Sequence, residues 1–144
     1  MAPKSAQVVQ EQIVVATRGR GLVDITAPLQ AFAASSGLSD GVITVFVQHT
    51  SASLLITENA DPDVHRDLET LFRRLAPDGD SAFRHRAEGP DDMAAHARSA
   101  LTASNLSIPL VKGRLGLGTW QGAYLWEHRS RGHRRQLVLT LVGA

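Results

Sequence analysis

An α+β fold is predicted for this chain: a mostly antiparallel, two-layer, sandwich-like body with two to three helices. Three observations point there. Segments dense in β-branched residues outnumber helical ones and come in runs, not in strand–helix alternation. Two segments combine a strong helix start with an apolar stripe at helical spacing. From Leu106 onward the chain is punctuated by glycines and reads as strands only, so the C-terminal third is expected to be all β.

The elements follow in order. Gln7 to Thr17 carries Val8, Val9, Ile13, Val14 and Val15 and reads as a strand. Arg18 to Gly21 is a turn, and Leu22 to Ile25 a short second strand. Thr26 then opens a helix as N-cap, with Pro28 in its first turn, Leu29, Phe32 and Ala33 on one face, and Gly37 as the stop. Gly41 to His49 alternates cleanly, with Ile43, Val45, Val47 and His49 on one side and Thr44, Phe46 and Gln48 on the other. Ser53 to Thr57 is a further strand. Asp61-Pro62-Asp63 starts a helix where the macrodipole favours acids, with a stripe of Val64, Leu68, Leu71, Phe72 and Leu75. Residues 78–90 are irregular. Asp91 to Ala103 is the next helix, with Met93, Ala97, Ala100 and Leu101 expected inward. Leu106–Pro109, Arg114–Leu117, Gly122–Arg129 and Arg135–Val142 are the closing strands.

The composition sets limits on function. The chain has 144 residues, 43% of them hydrophobic, enough for one domain with a real core, and residues 1–144 read as a single unit without repeats or linkers. Cysteine is absent, which excludes a disulfide framework, a thiol nucleophile and a Cys-type zinc site. The net charge of +1 and the 5% aromatic content argue against nucleic acid as a partner. No apolar run approaches the roughly 20 residues of a spanning helix. The N-terminal stretch lacks the apolar core of a signal peptide, so no membrane association and a cytoplasmic location are expected.

Four constellations could carry chemistry. In Gln48-His49-Thr50-Ser51-Ala52-Ser53, His49 ends an apolar strand face where the chain leaves the sheet. It reads either as a core histidine on a carbonyl or as a site group, and the hydroxyls after it as a phosphate contact or a polar turn. Glu58-Asn59-Ala60-Asp61-Pro62-Asp63 offers oxygens suited to a hard cation, although helix capping explains Asp61 and Asp63; His65, one turn further, reads as solvated. His85 and His96 flank Glu88-Gly89-Pro90-Asp91-Asp92 at a loop–helix junction, without the spacing of a zinc finger or an HExxH helix. Lys112 to Gly122 alternates glycines with other residues but lacks the Gly-Lys-Ser/Thr of a phosphate loop. In the strand that follows, Tyr124, Trp126 and His128 share one face and Glu127 the other.

Three stretches, HTSASLLITENADPDV (His49 to Val64), EGPDDMAAHARSAL (Glu88 to Leu101) and GRLGLGTWQGAYLWEHR (Gly113 to Arg129), resemble the YjbQ family in order and spacing. The likeness spans nearly the whole chain. Departures are confined to arginine-rich filler, to Ser130–Arg135, and to His65 and His133. The resemblance implies an α+β sandwich that assembles as a homotrimer. It also implies a pocket for a metal ion or an anion gathered from His49, His85, His96 and His128, with Glu127 beside them. A secondary thiamine-phosphate synthase activity is attached to the family: a hydroxymethylpyrimidine diphosphate is joined to a thiazole phosphate with release of pyrophosphate. On that reading His49, His85, His96, Glu127 and His128 form the catalytic set. Ser51, Ser53, Lys112, Arg114 and Arg129 would bind the phosphorylated metabolite.

Within the same resemblance, His49, His85 and His96 are the expected metal ligands. They come from a strand end, a loop and a helix, converging with one position open. Zinc or another imidazole-preferring ion fits such a set, and magnesium would serve the synthase reaction. A non-catalytic trimer that binds a metal or a phosphometabolite is the alternative.

Overall fold

Alternation of apolar and polar residues decides which strand faces meet. A computed structural model describes residues 2–144. Its elements are β1 (Gln7–Ala16), β2 (Gly21–Asp24), α1 (Thr26–Ser36), β3 (Gly41–Val47), β4 (Ala52–Glu58), α2 (Pro62–Leu75), α3 (Asp92–Leu101), β5 (Asn105–Val111), β6 (Arg114–Leu115), β7 (Gln121–Glu127) and β8 (Arg134–Gly143). Five strands form one antiparallel sheet in the order β1-β8-β3-β5-β6, and three form another in the order β2-β7-β4. The fold is α+β, and no helix follows α3 among the described residues.

The two sheets share one core. Ile43, Val45 and Val47 of β3, Ile108 and Leu110 of β5, and Leu137, Leu139 and Leu141 of β8 meet Leu54 of β4 and Leu125 of β7. Leu29, Phe32 and Ala33 of α1 close this core, on the face their spacing predicts. The other face of the small sheet lies under the helices: Trp126 stacks edge-on against Phe72 of α2 at 4.8 Å, and Tyr124 against His65 at 4.9 Å. His65 is therefore not a solvated side chain. Its Nε2 lies 2.7 Å from the Glu58 carbonyl.

Local signals mostly explain the boundaries. Asp61 caps α2 by accepting the Asp63 N–H at 2.9 Å. Thr26 does not cap α1; the Asp24 carboxylate accepts its N–H, and its hydroxyl serves Ala123. Lys112 and Gly113, both at positive φ, turn β5 into β6, as a two-residue hairpin requires.

The face of α3 departs from expectation. Asp92, Ala94, Ala95 and Arg98 are buried, while Leu101 is 60% exposed. Paired charges set this rotation: Asp92 is held by Arg129, and Arg98 by Glu69 of α2. A buried charge left unpaired costs far more than an exposed leucine.

The middle of the outer face of the large sheet is uncharged, with Arg134 and Arg114 at its margins. Its cross-strand rows read Val8–Val142–Val42–Pro109, then Gln10–Thr140–Thr44–Ser107, then Gln12–Val138–Phe46–Asn105. Val8, Val42, Phe46 and Val142 remain exposed. No helix among the described residues is long and apolar enough to cross a membrane.

Close approach fixes Gly41 at the start of β3, where a Cβ would lie 2.2 Å from the Val142 carbonyl oxygen. That oxygen belongs to the β3–β8 ladder and cannot retreat. Gly41→Ala is expected to destabilise the fold by about 1–3 kcal/mol, read as a lower urea midpoint with an unchanged slope.

Candidate functional site

One end of the sandwich concentrates the buried charge. The C-terminal ends of β1, β3 and β7 and the N-terminal ends of β4 and β8 meet there, and the segment from Ala76 to Asp91 folds over them. That segment lacks regular structure but is pinned by its own bonds. Gly79 N–H donates to the Pro90 carbonyl, and Arg86 donates to the Phe83 and Ser81 carbonyls. Arg20 holds Asp78 through two bonds of 2.8 Å.

The segment delivers His85 to the start of α3, where Asp92 and His96 lie one turn apart on one face. Asp92 Oδ2 is 2.6 Å from His85 Nε2 and 3.0 Å from His96 Nε2. The ligating atoms of the three residues lie within 4.8 Å of one another. Arg129 Nη1 pairs with the other Asp92 oxygen at 2.8 Å, so Oδ2 is turned to the histidines. Burial pushes the Asp92 carboxyl up, but the His85 bond and the charges of His96 and Arg129 outweigh it and hold the group below the usual carboxylate range.

Chemistry of the donor set fits a metal. His96 Nδ1 lies 2.9 Å from the Thr50 carbonyl and must carry the hydrogen of that bond. In the neutral ring Nε2 is then a bare lone pair facing a carboxylate oxygen. Two such lone pairs need a cation between them, either a proton or a metal ion. Two ligands at about 2.1 Å from a tetrahedral ion stand about 3.4 Å apart, and the three ligating atoms, at 2.6 and 3.0 Å from Asp92 and all within 4.8 Å of one another, bracket that separation. A cavity of about 350 Å³ opens beside His85, lined also by Phe83, Arg86, Ser81 and Pro90. Its size suits a small organic molecule.

A second network lies behind this one. Glu127 is fully buried, and its Oε1 accepts from Thr17 Oγ at 2.6 Å and from Arg135 Nε at 2.8 Å. Its Oε2 accepts from Arg135 Nη2 and from the Arg129 backbone N–H. Arg135 Nη2 also donates to the Ser51 carbonyl and hydroxyl at 3.1 and 3.0 Å. Burial raises the Glu127 carboxyl, yet the bonds from Arg135 and Thr17 bring it below its ordinary value.

The expected site residues therefore divide. His85 and His96 come together. His49, expected as the third ligand, does not join them: Gln136 N–H donates to its Nε2 at 2.7 Å, and Arg135 Nη1 lies 3.4 Å from its Nδ1. Burial, then the Arg135 charge, lowers the His49 pKa. Asp92 stands in the third place instead. Glu127 and His128 do face opposite sides of β7, as alternation requires. His128 is fully buried on Ser53 Oγ at 2.8 Å and does not line the cavity beside His85. Ser51 serves Arg135. Arg129 reaches the site, but its nitrogens are committed to Asp91, Asp92 and the Glu88 carbonyl. Lys112 and Arg114 lie beside Asp40, at the far end of β3 and about 20 Å away by strand rise. Sequence reading missed Asp92 as a candidate ligand, although its i,i+4 spacing to His96 was a chelating signal. It also missed Arg135, which nothing local marks.

A family model described as UPF0047 protein YjbQ-like matches residues 11–144. A UPF0047 protein of Synechocystis sp. is 53% identical over 134 residues, covering 93% of this chain and 91% of that one. The UPF0047 protein YjbQ of Escherichia coli O157:H7 is 38% identical over 135 residues, covering 93% and 97%. Among solved structures, a conserved hypothetical protein of Thermus thermophilus superposes with a TM-score of 0.82 at 34% identity, covering 91% and 98%. A YbjQ-like protein of unknown function from Sulfolobus solfataricus shares the fold, with a TM-score of 0.88 at 23% identity over 97% of this chain and 100% of that one.

Burial and the neighbouring Arg98 charge push the His128 pKa down to about 3. An unfolded histidine takes up its proton near pH 6.5. The unfolded state thus binds more protons below that pH, and stability falls as pH drops from about 6.5 toward 3, at up to about 1.4 kcal/mol per unit. His49 acts in the same direction. Urea unfolding at about pH 7, 6 and 5 should show this loss, and His128→Asn should flatten it.

Proposed function

The chain belongs to the YjbQ-like UPF0047 family, and within it we propose a metal-binding protein whose site takes one divalent transition ion and a small phosphorylated molecule. The carrying observation is the convergence of His85, Asp92 and His96, with the His96 lone pair turned to Asp92 by the Thr50 carbonyl. Two imidazoles and a carboxylate suit zinc or another ion of that class better than magnesium. A bound ion of this kind polarises a phosphoryl oxygen or activates a water. The protein's own residues do the rest. Arg129 fixes the Asp92 rotamer, Thr50 fixes the His96 ring, and the loop carrying His85 forms the cavity wall.

Thiamine-phosphate synthesis is proposed as a slow side activity of this site. Charge builds on the departing pyrophosphate and calls for cations free to meet it. Arg129 spends its nitrogens on Asp91, Asp92 and Glu88. That saturation favours binding over fast turnover. The uncharged middle of the outer face of the large sheet supports a second proposal, that copies of the chain pack through it as a homotrimer. Its exposed Val8, Val42, Phe46 and Val142 would there lose contact with water.

Metal analysis of purified protein and titration with zinc or cobalt test the site. Wild-type protein is expected to hold about one ion per chain. His85→Ala, Asp92→Asn and His96→Ala should each lower the affinity at least about tenfold with the fold intact. Variants that bind as tightly as the parent would refute the metal reading. Overexpression in a strain lacking its own synthase should restore only slow growth without thiamine, and no growth at any level removes the side activity. Light scattering should give three times the 15.5 kDa chain mass, and a monomer at micromolar concentration ends the trimer proposal.

A further inference from the structure

We propose that Arg135 is a positioning residue for this metal site: held by Glu127 and bonded to Ser51, it fixes the Thr50–Ser51 backbone so that the Thr50 carbonyl keeps His96 in its ligating tautomer. The inference rests on the metal reading above and concerns a residue no sequence motif marks.

Arg135 is 4% exposed, so its guanidinium must find its partners inside the protein. Its Nε and Nη2 form a side-on fork on the two Glu127 oxygens. Nη2 also reaches the carbonyl and the hydroxyl of Ser51. The Ser51 carbonyl further accepts the His128 backbone N–H at 3.2 Å, so this peptide is clamped from two strands. The residue before it, Thr50, presents its carbonyl to His96 Nδ1. Among the described residues no other acceptor holds that nitrogen, and the His96 ring is half-buried. Without a fixed carbonyl the neutral ring could place its hydrogen on either nitrogen, and the Nε2–H form cannot ligate.

Glu127 closes the circuit from the other side. Its Oε2 accepts the Arg129 N–H, and the Arg129 side chain orients Asp92. Two of the three ligands are thus set by routes that meet at one carboxylate. A lysine at position 135 could not reproduce this. Its point charge can sit on Glu127 or reach Ser51, but it lacks the planar fork that does both.

The test uses full-length Arg135→Lys, ¹⁵N NMR of histidine side chains in metal-free protein, and cobalt titration. Wild-type His96 should keep a hydrogen on Nδ1, with or without the bridging proton on Nε2, and should show no neutral Nε2–H tautomer. Arg135→Lys should show a mixture, and its cobalt affinity should fall roughly 10–100-fold. Thr17→Val removes a Glu127 bond not directed at the site; it should lower thermal stability and leave the tautomer alone. A folded Arg135→Lys protein with the wild-type tautomer and affinity overturns the proposal. If that variant does not fold, Ser51→Ala decides, since it removes one Arg135 bond without stranding a charge. A shifted tautomer ratio supports the proposal and an unchanged ratio overturns it. Wild-type protein that takes up no cobalt or zinc defeats the metal reading itself, and the metal-free tautomer measurement still decides the role of Arg135.

Discussion

A buried carboxylate with no exposed surface must be matched by donors from every side, and Glu127 imposes that demand on the end of the sandwich where the site lies. Thr17 after β1, Arg135 on β8 and the Arg129 backbone after β7 all supply bonds to it. These groups come from both sheets, so the carboxylate fixes how the sheets meet at this edge. The Arg135 fork then ties in the turn after β3 through Ser51. An ion pair this deep adds little net stability beyond what apolar packing would give. What it contributes is definition: in the observed arrangement of these strand ends neither Glu127 nor Arg135 is left unpaired.

The helical layer obeys the same logic. The apolar periodicity of α3 would turn Leu101 inward, yet Asp92 and Arg98 take the buried face because each has an opposite charge waiting. Glu69 serves two partners, accepting from Arg98 and from the Trp126 indole at 3.0 Å, and so bridges α2, α3 and β7. Electrostatic pairing, not hydrophobic area, orients this helix, and Asp92 and His96 face the loop that carries His85 as a consequence.

Period and turn chemistry made most of the fold legible in the sequence. Alternation in Gly41 to Val47, the Asp61 cap and the glycine-marked closing strands are local signals, and the structure follows them. His85 and His96 entered the expected site through the family resemblance, because their spacing matches no zinc-finger or HExxH pattern. His49 misled because it ends an apolar strand face next to hydroxyls; its partners, Gln136 and Arg135, arrive from a strand far along the chain. Lys112 and Arg114 sit in a hairpin at the opposite end of β3, a separation that depends on strand direction and cannot be read from residue type. Asp92 resembled a helix-start acid because acids at that position ordinarily complement the dipole.

The place of β8 between β1 and β3 has a consequence for how the protein is made. Its ladder with β1 joins Gln7 to Gly143 and Ala16 to Arg134. While the chain is leaving the ribosome, β1 and β3 each lack the neighbour that separates them, and Arg135 has not yet reached Glu127. The large sheet can close only after residues through Gly143 have emerged. Pairings this distant in sequence are slow to form. In that interval β1, with Glu11 as its single charge, is an unpaired and nearly neutral edge. Chaperone capture or misassociation during synthesis would act on this strand first.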